Sequence, residues 1–315
     1  MKKILSGLIS RGGYQLIRRT NVDLIQDYYN MYHSDNTQLS EGNTIVIFSK
    51  DRVLQLHALL YSLFSCVSDY QNIVVLYNAS DEAYMKSYRE LEKEIGNRAV
   101  FIKENVFESD LKKLLRGITT DQVLFLVDDI VFLDKVALAP LRALVNNGVI
   151  VSLRLGSNIA YSYTGQAAIP LPSSLKEQGD MIDWYWKDGL FDWGYPLSVD
   201  GNIFKTKEIR AMMETISFKA PNTLELNLQV FNVLFGKRRG LAYQTSRLVN
   251  NPCNRVQNEI QNKSGNISAE YLHSVWQKGM RIDFKKMYKY VPKSPHEELP
   301  IDFITENHLC NDKGN

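Results

Sequence analysis

From Thr44 onward the apolar positions of this chain follow two alternating rhythms. Short runs rich in β-branched residues, TIVIF (44–48), NIVVLY (72–77), AVFIK (99–103), VLFLV (123–127) and VIVSLRL (149–155), read as strands buried on both faces. Between them apolar residues recur at helical spacing. Val53, Leu56, Leu60, Leu63 and Phe64 form one such face; MKSYRELEKEIG (85–96) forms a second and stops at Gly96. SDLKKLLRGI (109–118) follows, with Ser109 or Asp110 placed to cap it. DKVALAPLRALVNNG (134–148) is largely helical; Pro140 obscures its start and Gly148 suits its end. Strands alternating with helices predict an α/β fold, a mostly parallel sheet with helices on both faces. Ligands of such sheets bind beyond the carboxyl ends of the strands. The polar turns SKDR, YNAS and DDI fall at those ends.

Further along, DWYWKDGLFDWGYPLSVDGNIFK (183–205) mixes aromatic residues with aspartates, and FKAPNTLELNLQVFNVLF (218–235) has a helical apolar face of Leu224, Leu228, Phe231 and Phe235. LAYQTSRLV after Gly240 reads as a last strand and 250–266 as a polar loop. Tyr271, Leu272, Val275 and Trp276 predict a C-terminal helical extension. The organisation expected is a basic helical segment (1–43), a core domain (44–250, with halves 44–155 and 156–250) and a C-terminal loop with its helical extension (251–315).

Composition adds limits. The 315 residues are 44% apolar and 23% charged, as in a soluble globular protein. A net charge of +2 implies no general surface for nucleic acid. Cys66, Cys253 and Cys310 are scattered, which suits reduced thiols in a cytoplasmic protein. No apolar run reaches membrane-spanning length. The first 19 residues carry Lys2, Lys3, Arg11, Arg18 and Arg19 and no acid. They are either a cationic amphipathic segment for an anionic membrane surface or an ordinary first helix broken at Gly12 and Gly13. Lys285, Lys286 and Lys289 form a second basic patch.

Asp128 and Asp129 are the sharpest chemical signal. Adjacent carboxylates on a core strand are costly unless something positive meets them or the chain has already left the sheet. They either hold a ligand or cap the next turn. In 183–205 aromatic faces suit sugar rings and carboxylates suit sugar hydroxyls, although a tryptophan cluster is also ordinary packing.

At this point the chain resembles GT-A fold glycosyltransferases, in particular the inverting family 2 of bacterial surface-polysaccharide type. TIVIFSKDR is similar to that family's VVIPTYNR, VVLYNASDE to its VVVDNGSTD, LFLVDDI to its DxD signature, and DGNIFK to its GxNxxFR segment. The resemblance covers roughly residues 44–250. It implies a nucleotide-binding group of Ser49, Asp51, Arg52, Tyr77, Asn78 and Asp128. It implies a Mn²⁺ or Mg²⁺ ion on Asp129, with Asp128 facing the ribose or assisting through a water. Asp200 and Asn202 would lie by the sugar, and Asp192 and Trp193 nearer the acceptor. An inverting transfer needs one base to take the acceptor's hydroxyl proton. Glu225, at the start of the 218–235 helix, falls where the family places it; Asp200 and Asp192 are the fallback bases. The alternative for Glu225 is a purely electrostatic role at the helix N-terminus. The implied partners are a nucleotide-sugar donor, a UDP-sugar first, and a glycan or lipid-linked glycan acceptor at the cytoplasmic face of a membrane. Two rivals stand beside this. A sugar nucleotidyltransferase normally carries a glycine-rich loop after the first strand, and SKDRVLQLH has no glycine. A non-catalytic GT-A domain would bind glycan or partners without turnover.

Overall fold

In the computed structural model, residues 19–254, 265 and 267–305 are described. The predicted apolar runs form the centre of a nine-stranded sheet. Its strands are β1 (Ser40–Lys50), β2 (Asn72–Asn78), β3 (Val100–Lys103), β4 (Thr120–Val127), β5 (Ile150–Ser152), β6 (Lys176–Gln178), β7 (Met181–Tyr185), β8 (Asn202–Lys205) and β9 (Arg239–Tyr243). They lie in the order β6-β7-β9-β5-β8-β4-β1-β2-β3. β1 runs parallel to β2 and β4, and β2 to β3. β8 is antiparallel to both β4 and β5, and β7 is antiparallel to β9 and β6. All strands except β7 and β8 therefore share one direction, the mostly parallel sheet expected.

Period-two alternation explains the layers. Ile45 and Ile47 of β1, with Leu124 and Leu126 of β4, feed one core. Val46, Phe48, Val123 and Phe125 feed the other. The first core is covered by α2 (Val53–Cys66), α3 (Glu82–Ile95), α5 (Ala139–Asn146) and α8 (Ala269–Gln277). The second is covered by α1 (Arg19–Ser34), α4 (Phe107–Gly117), α6 (Thr206–Thr215) and α7 (Pro221–Leu228). Helices on both faces of one mostly parallel sheet make this a Rossmann-like α/β fold.

Several local expectations are revised. α4 starts at Phe107, and the Asp110 carboxylate accepts from the N–H groups of Asn105 (2.7 Å) and Val106 (2.8 Å) rather than capping from the helix start. The 218–235 segment is not one helix. α7 ends at Leu228, and a 3₁₀ turn at Gln229–Phe231 leads to a single turn at Asn232–Phe235. The N-cap of α7 is Ala220, with Thr223 Oγ1 accepting from the Ala220 N–H at 2.9 Å. LAYQTSRLV splits into β9 and Leu248–Asn250, which pairs with Ile130–Phe132. It is not the last strand, because Met280–Ile282 and Phe303–Thr305 pair after α8. In the C-terminal basic patch Lys286 pairs with Asp302 (2.9 Å) and Lys289 with Asp134 (2.5 Å). Residues 1–18 of the basic N-terminal segment lie outside the described residues. Among the described residues no helix is long and apolar enough to cross a membrane.

Candidate active site

β1 delivers Ser49, Lys50, Asp51 and Arg52 to the carboxyl edge of the sheet, and β4 delivers Asp128 and Asp129 beside them. The chain leaves the sheet at Val127, so the two carboxylates stand in the turn before Ile130–Phe132. Their positive partner is Arg52. Its Nη1 donates to Asp128 Oδ1 at 3.0 Å and to Asp129 Oδ2 at 2.9 Å. Its Nη2 donates to the carbonyl of Asn254. The second oxygen of Asp128 accepts from the Lys50 N–H at 3.1 Å. All three side chains are nearly buried, which strengthens their mutual attraction. Burial pushes the Asp128 carboxyl up, against the charge of Arg52. Asp129 is pushed up to about 6 by burial and by the charges of Asp128 and Asp200, with Arg52 opposing.

A cavity of about 520 Å³ opens at this edge. Ser49, Arg52, Asn78, Asp128, Asp129, Asp192, Asp200 and Glu225 all line it. Asp200 sits in the turn before β8, where Gly201 takes φ 86° and gives its N–H to Phe125 O at 2.9 Å. Asp200 Oδ2 meets His296 Nε2 at 3.1 Å. That histidine is pinned from both sides: the Asn250 N–H donates to Pro295 O (2.9 Å) and the Glu297 N–H to Asn250 O (3.0 Å). Burial works to lower the His296 imidazolium, but the hydrogen bond and charge of Asp200 outweigh it and hold it above its ordinary value. Glu225 lies one turn into α7, and its Oε1 accepts from the Val199 N–H at 3.0 Å. Burial, then the charge of Asp200, pushes it up to about 7. Across the cavity Arg154 donates from Nη1 to Asp192 Oδ1 at 2.8 Å. Burial works to raise Asp192, but Arg154 and His296 hold it below the ordinary carboxylate range.

Four expected site residues stand away from the cavity. Asp51, at φ 54°, turns its carboxylate to the Ser80 N–H (2.8 Å) and hydroxyl, clipping the turn after β1 to the turn after β2. Tyr77 stacks on Tyr88 at 4.5 Å and gives its hydroxyl to Met85 Sδ. Trp193 is fully buried, edge-on to Trp184 at 4.9 Å, and its Nε1 donates to Ile159 O. Trp184 and Trp186 are buried with it, so the tryptophans are packing and not a sugar-binding surface. Asn202 is buried on β8, with its amide on Pro196 O at 3.0 Å. Arg247, just before the polar loop, is paired with Asp134 and so is not free to serve a phosphate.

Sequence reading missed Arg154, Phe191, His296 and Glu104, which also line the cavity. Arg154 did carry a signal, since it is a lone cation in the apolar run VIVSLRL, as the Asp128–Asp129 pair is anionic at the end of another. Glu104 directly follows the third strand. His296, in the loop KSPHEELP, carries no pattern at all.

The aspartate pair fits a divalent ion only in part. Both oxygens of Asp128 are committed, and Arg52 already supplies a positive charge to both carboxylates. Asp129 Oδ1 is a buried oxygen with no hydrogen-bond partner and suits a hard cation. Among the described residues no three His, Cys, Asp or Glu side chains are grouped to hold a metal. Asp129 therefore fits the expected metal contact, and Asp128 is instead an anchor for Arg52.

No protein-family model and no curated protein matches the chain. Solved structures with similar folds include S. aureus TarS 1–349 in complex with UDP-GlcNAc (TM-score 0.43, 15% identity, covering 64% of this chain and 56% of that one). They include the 4-diphosphocytidyl-2C-methyl-D-erythritol synthase of Anaerococcus prevotii (TM-score 0.37, 13% identity, 75% and 96% covered). They also include the mannosyltransferase PcManGT of Pyrobaculum calidifontis in complex with GDP-Man and Mn²⁺ (TM-score 0.29, 14% identity, 46% and 52% covered). The chain thus spans little more than half of the TarS fragment. Likeness at this level fixes neither donor nor reaction.

Proposed function

We propose that the chain is a glycosyltransferase that moves a sugar from a nucleotide-sugar donor to a hydroxyl of a glycan acceptor, with inversion. The observation that carries this reading is the convergence of Arg52, Asp129, Asp200 and Glu225 on one cavity at the carboxyl ends of the parallel strands. Ser49 and Asn78 serve the donor's nucleotide end, where Asp128 holds Arg52 in place, with a UDP-sugar as the first candidate. Glu225 is the base. A carboxyl group at about 7 takes the acceptor's hydroxyl proton readily at neutral pH. The acceptor oxygen then bonds to the anomeric carbon as the bond from that carbon to the diphosphate oxygen breaks. Arg52 and Lys50 meet the charge released onto the diphosphate. Asp200, held by His296, faces the sugar. A Mn²⁺ or Mg²⁺ ion arriving with the donor would find Asp129 Oδ1 open, and it would supply Lewis-acid stabilisation of the leaving diphosphate. The basic segment before Arg19 extends the proposal to a lipid-linked acceptor at an anionic membrane surface.

The nucleotidyltransferase reading is disfavoured by the turn after β1. The N–H of Lys50 goes to Asp128, that of Asp51 to Asn78 O, and that of Arg52 to the Tyr88 hydroxyl. No run of open N–H groups is left there to cradle a triphosphate. Calorimetry with UDP, GDP, CMP and dTDP, with and without Mn²⁺, on wild type and Asp129→Asn tests the proposal. One nucleotide should bind, and Asp129→Asn should lose any gain from Mn²⁺. Binding of none of the four would overturn it.

A further inference from the structure

The segment expected to supply sugar-stacking tryptophans buries all of them, yet one aromatic residue in it behaves otherwise. Phe191 is 53% exposed and lines the cavity. Its backbone sits at φ 49°, a region that a bulky residue rarely adopts and that functional sites tend to hold. Its ring rests against Gly165, where an added Cβ would lie 2.6 Å from Phe191 Cε1. The chain therefore keeps a strained, exposed ring seated on a glycine at the cavity mouth.

The next residue is Asp192, held by Arg154. Arg154 is 2% exposed and lines the same cavity, but only its Nη1 is engaged. Nε and Nη2 are buried without a hydrogen-bond partner. Buried guanidinium N–H groups are rarely left unpaired. Asp192 cancels the charge of Arg154, as His296 meets that of Asp200, so a second anion is not what this pair suits.

We propose that Phe191 and the Arg154–Asp192 pair form a subsite for a neutral pyranose that carries two neighbouring free hydroxyl groups. This deepens the transferase reading and rests on it. The apolar face of the ring lies on Phe191. One hydroxyl oxygen accepts from Arg154, and its neighbour donates to Asp192. A uronic acid or a sugar phosphate is rejected, because its charge meets the Asp192 carboxylate while Arg154 is already neutralised. Donor sugar and acceptor sugar share this chemistry.

Saturation-transfer NMR with methyl glucoside, galactoside, mannoside, N-acetylglucosaminide and glucuronide tests the subsite on the full chain. The variants are Arg154→Lys and Phe191→Ala, the latter at an exposed position where folding is safe. At least one neutral glycoside should bind and the glucuronide should not. Phe191→Ala should weaken the neutral ligand about tenfold or more while the affinity for nucleoside diphosphate stays the same. If the donor sugar occupies the subsite, Phe191→Ala narrows the gap in affinity between nucleotide-sugar and bare nucleotide. If the acceptor occupies it, that gap is unchanged and the acceptor KM rises. Glucuronide binding as tight as the neutral sugars, no neutral glycoside bound, or an unchanged Phe191→Ala overturns the subsite. Sugar binding with no nucleotide binding leaves the subsite standing and sinks the transferase reading.

Discussion

Replacing Glu225 with Gln should make the protein more stable and less active, with the size of the first effect set by pH. Glu225 is raised from 4.5 to about 7 by burial and by Asp200, with Tyr195 also facing it and Arg154 opposing. A raised carboxyl contributes stability that is fully present below about pH 4.5 and is lost as pH rises through about 7. At about 1.4 kcal/mol per pH unit, the full shift is worth about 3 kcal/mol. Glu225 is partly open to the cavity, whose water softens the penalty. About 2 kcal/mol of wild-type stability should therefore disappear between pH 5 and pH 8 through this one group. Gln keeps the oxygen that accepts from the Val199 N–H but cannot ionise. Urea unfolding at pH 5 and pH 8 reads the effect. Glu225→Gln should gain about 2 kcal/mol on wild type at the higher pH relative to the lower. Turnover should fall by about 10² or more, and the acid limb of the rate profile near pH 7 should vanish. Equal destabilisation at both pH values would refute the reasoning, because the carboxyl would then carry no stored ionisation cost.

Arg52→Gln leaves two buried carboxylates uncompensated and should cost about 3–5 kcal/mol near pH 7, measured by urea unfolding. The loss should shrink as pH falls and Asp129 takes a proton. The same variant frees the aspartate pair, so Mn²⁺ followed by electron paramagnetic resonance should bind it more tightly than wild type. Trp193→Ala should destabilise by about 3–5 kcal/mol and leave sugar binding unchanged in the folded fraction, since the ring is core. His296→Asn should cost about 2 kcal/mol at pH 6 and less at pH 9. A raised imidazolium stabilises fully below its unfolded value and loses that contribution as pH rises through the folded one.

The parallel strands were legible because they are buried on both faces and so are apolar without interruption. The turn chemistry at their ends was legible for the same reason, since Asp128, Asp129 and Arg52 are polar residues adjoining such runs. Partnership was not legible. The aspartates of 183–193 suggested a wet surface around the tryptophans. Instead Asp183 meets Arg239 across β7 and β9, and Asp192 meets Arg154, while the tryptophans turn inward. Asp51 and Tyr77 stand at the motif positions of nucleotide contacts, and only contacts with Ser80 and Tyr88 reveal their packing roles. The break in the 218–235 helix was hidden because its apolar face continues unbroken through Leu228, Phe231 and Phe235.

His296 gives the fold a temporal dimension. Strands β1 to β4 can pair as soon as they leave the ribosome, since chains begin folding from the N-terminal side during synthesis. Asp200 then waits for a partner nearly a hundred residues downstream, carried by a segment that docks on Asn250. A nascent or prematurely terminated chain would therefore display a finished sheet and an unfinished cavity wall.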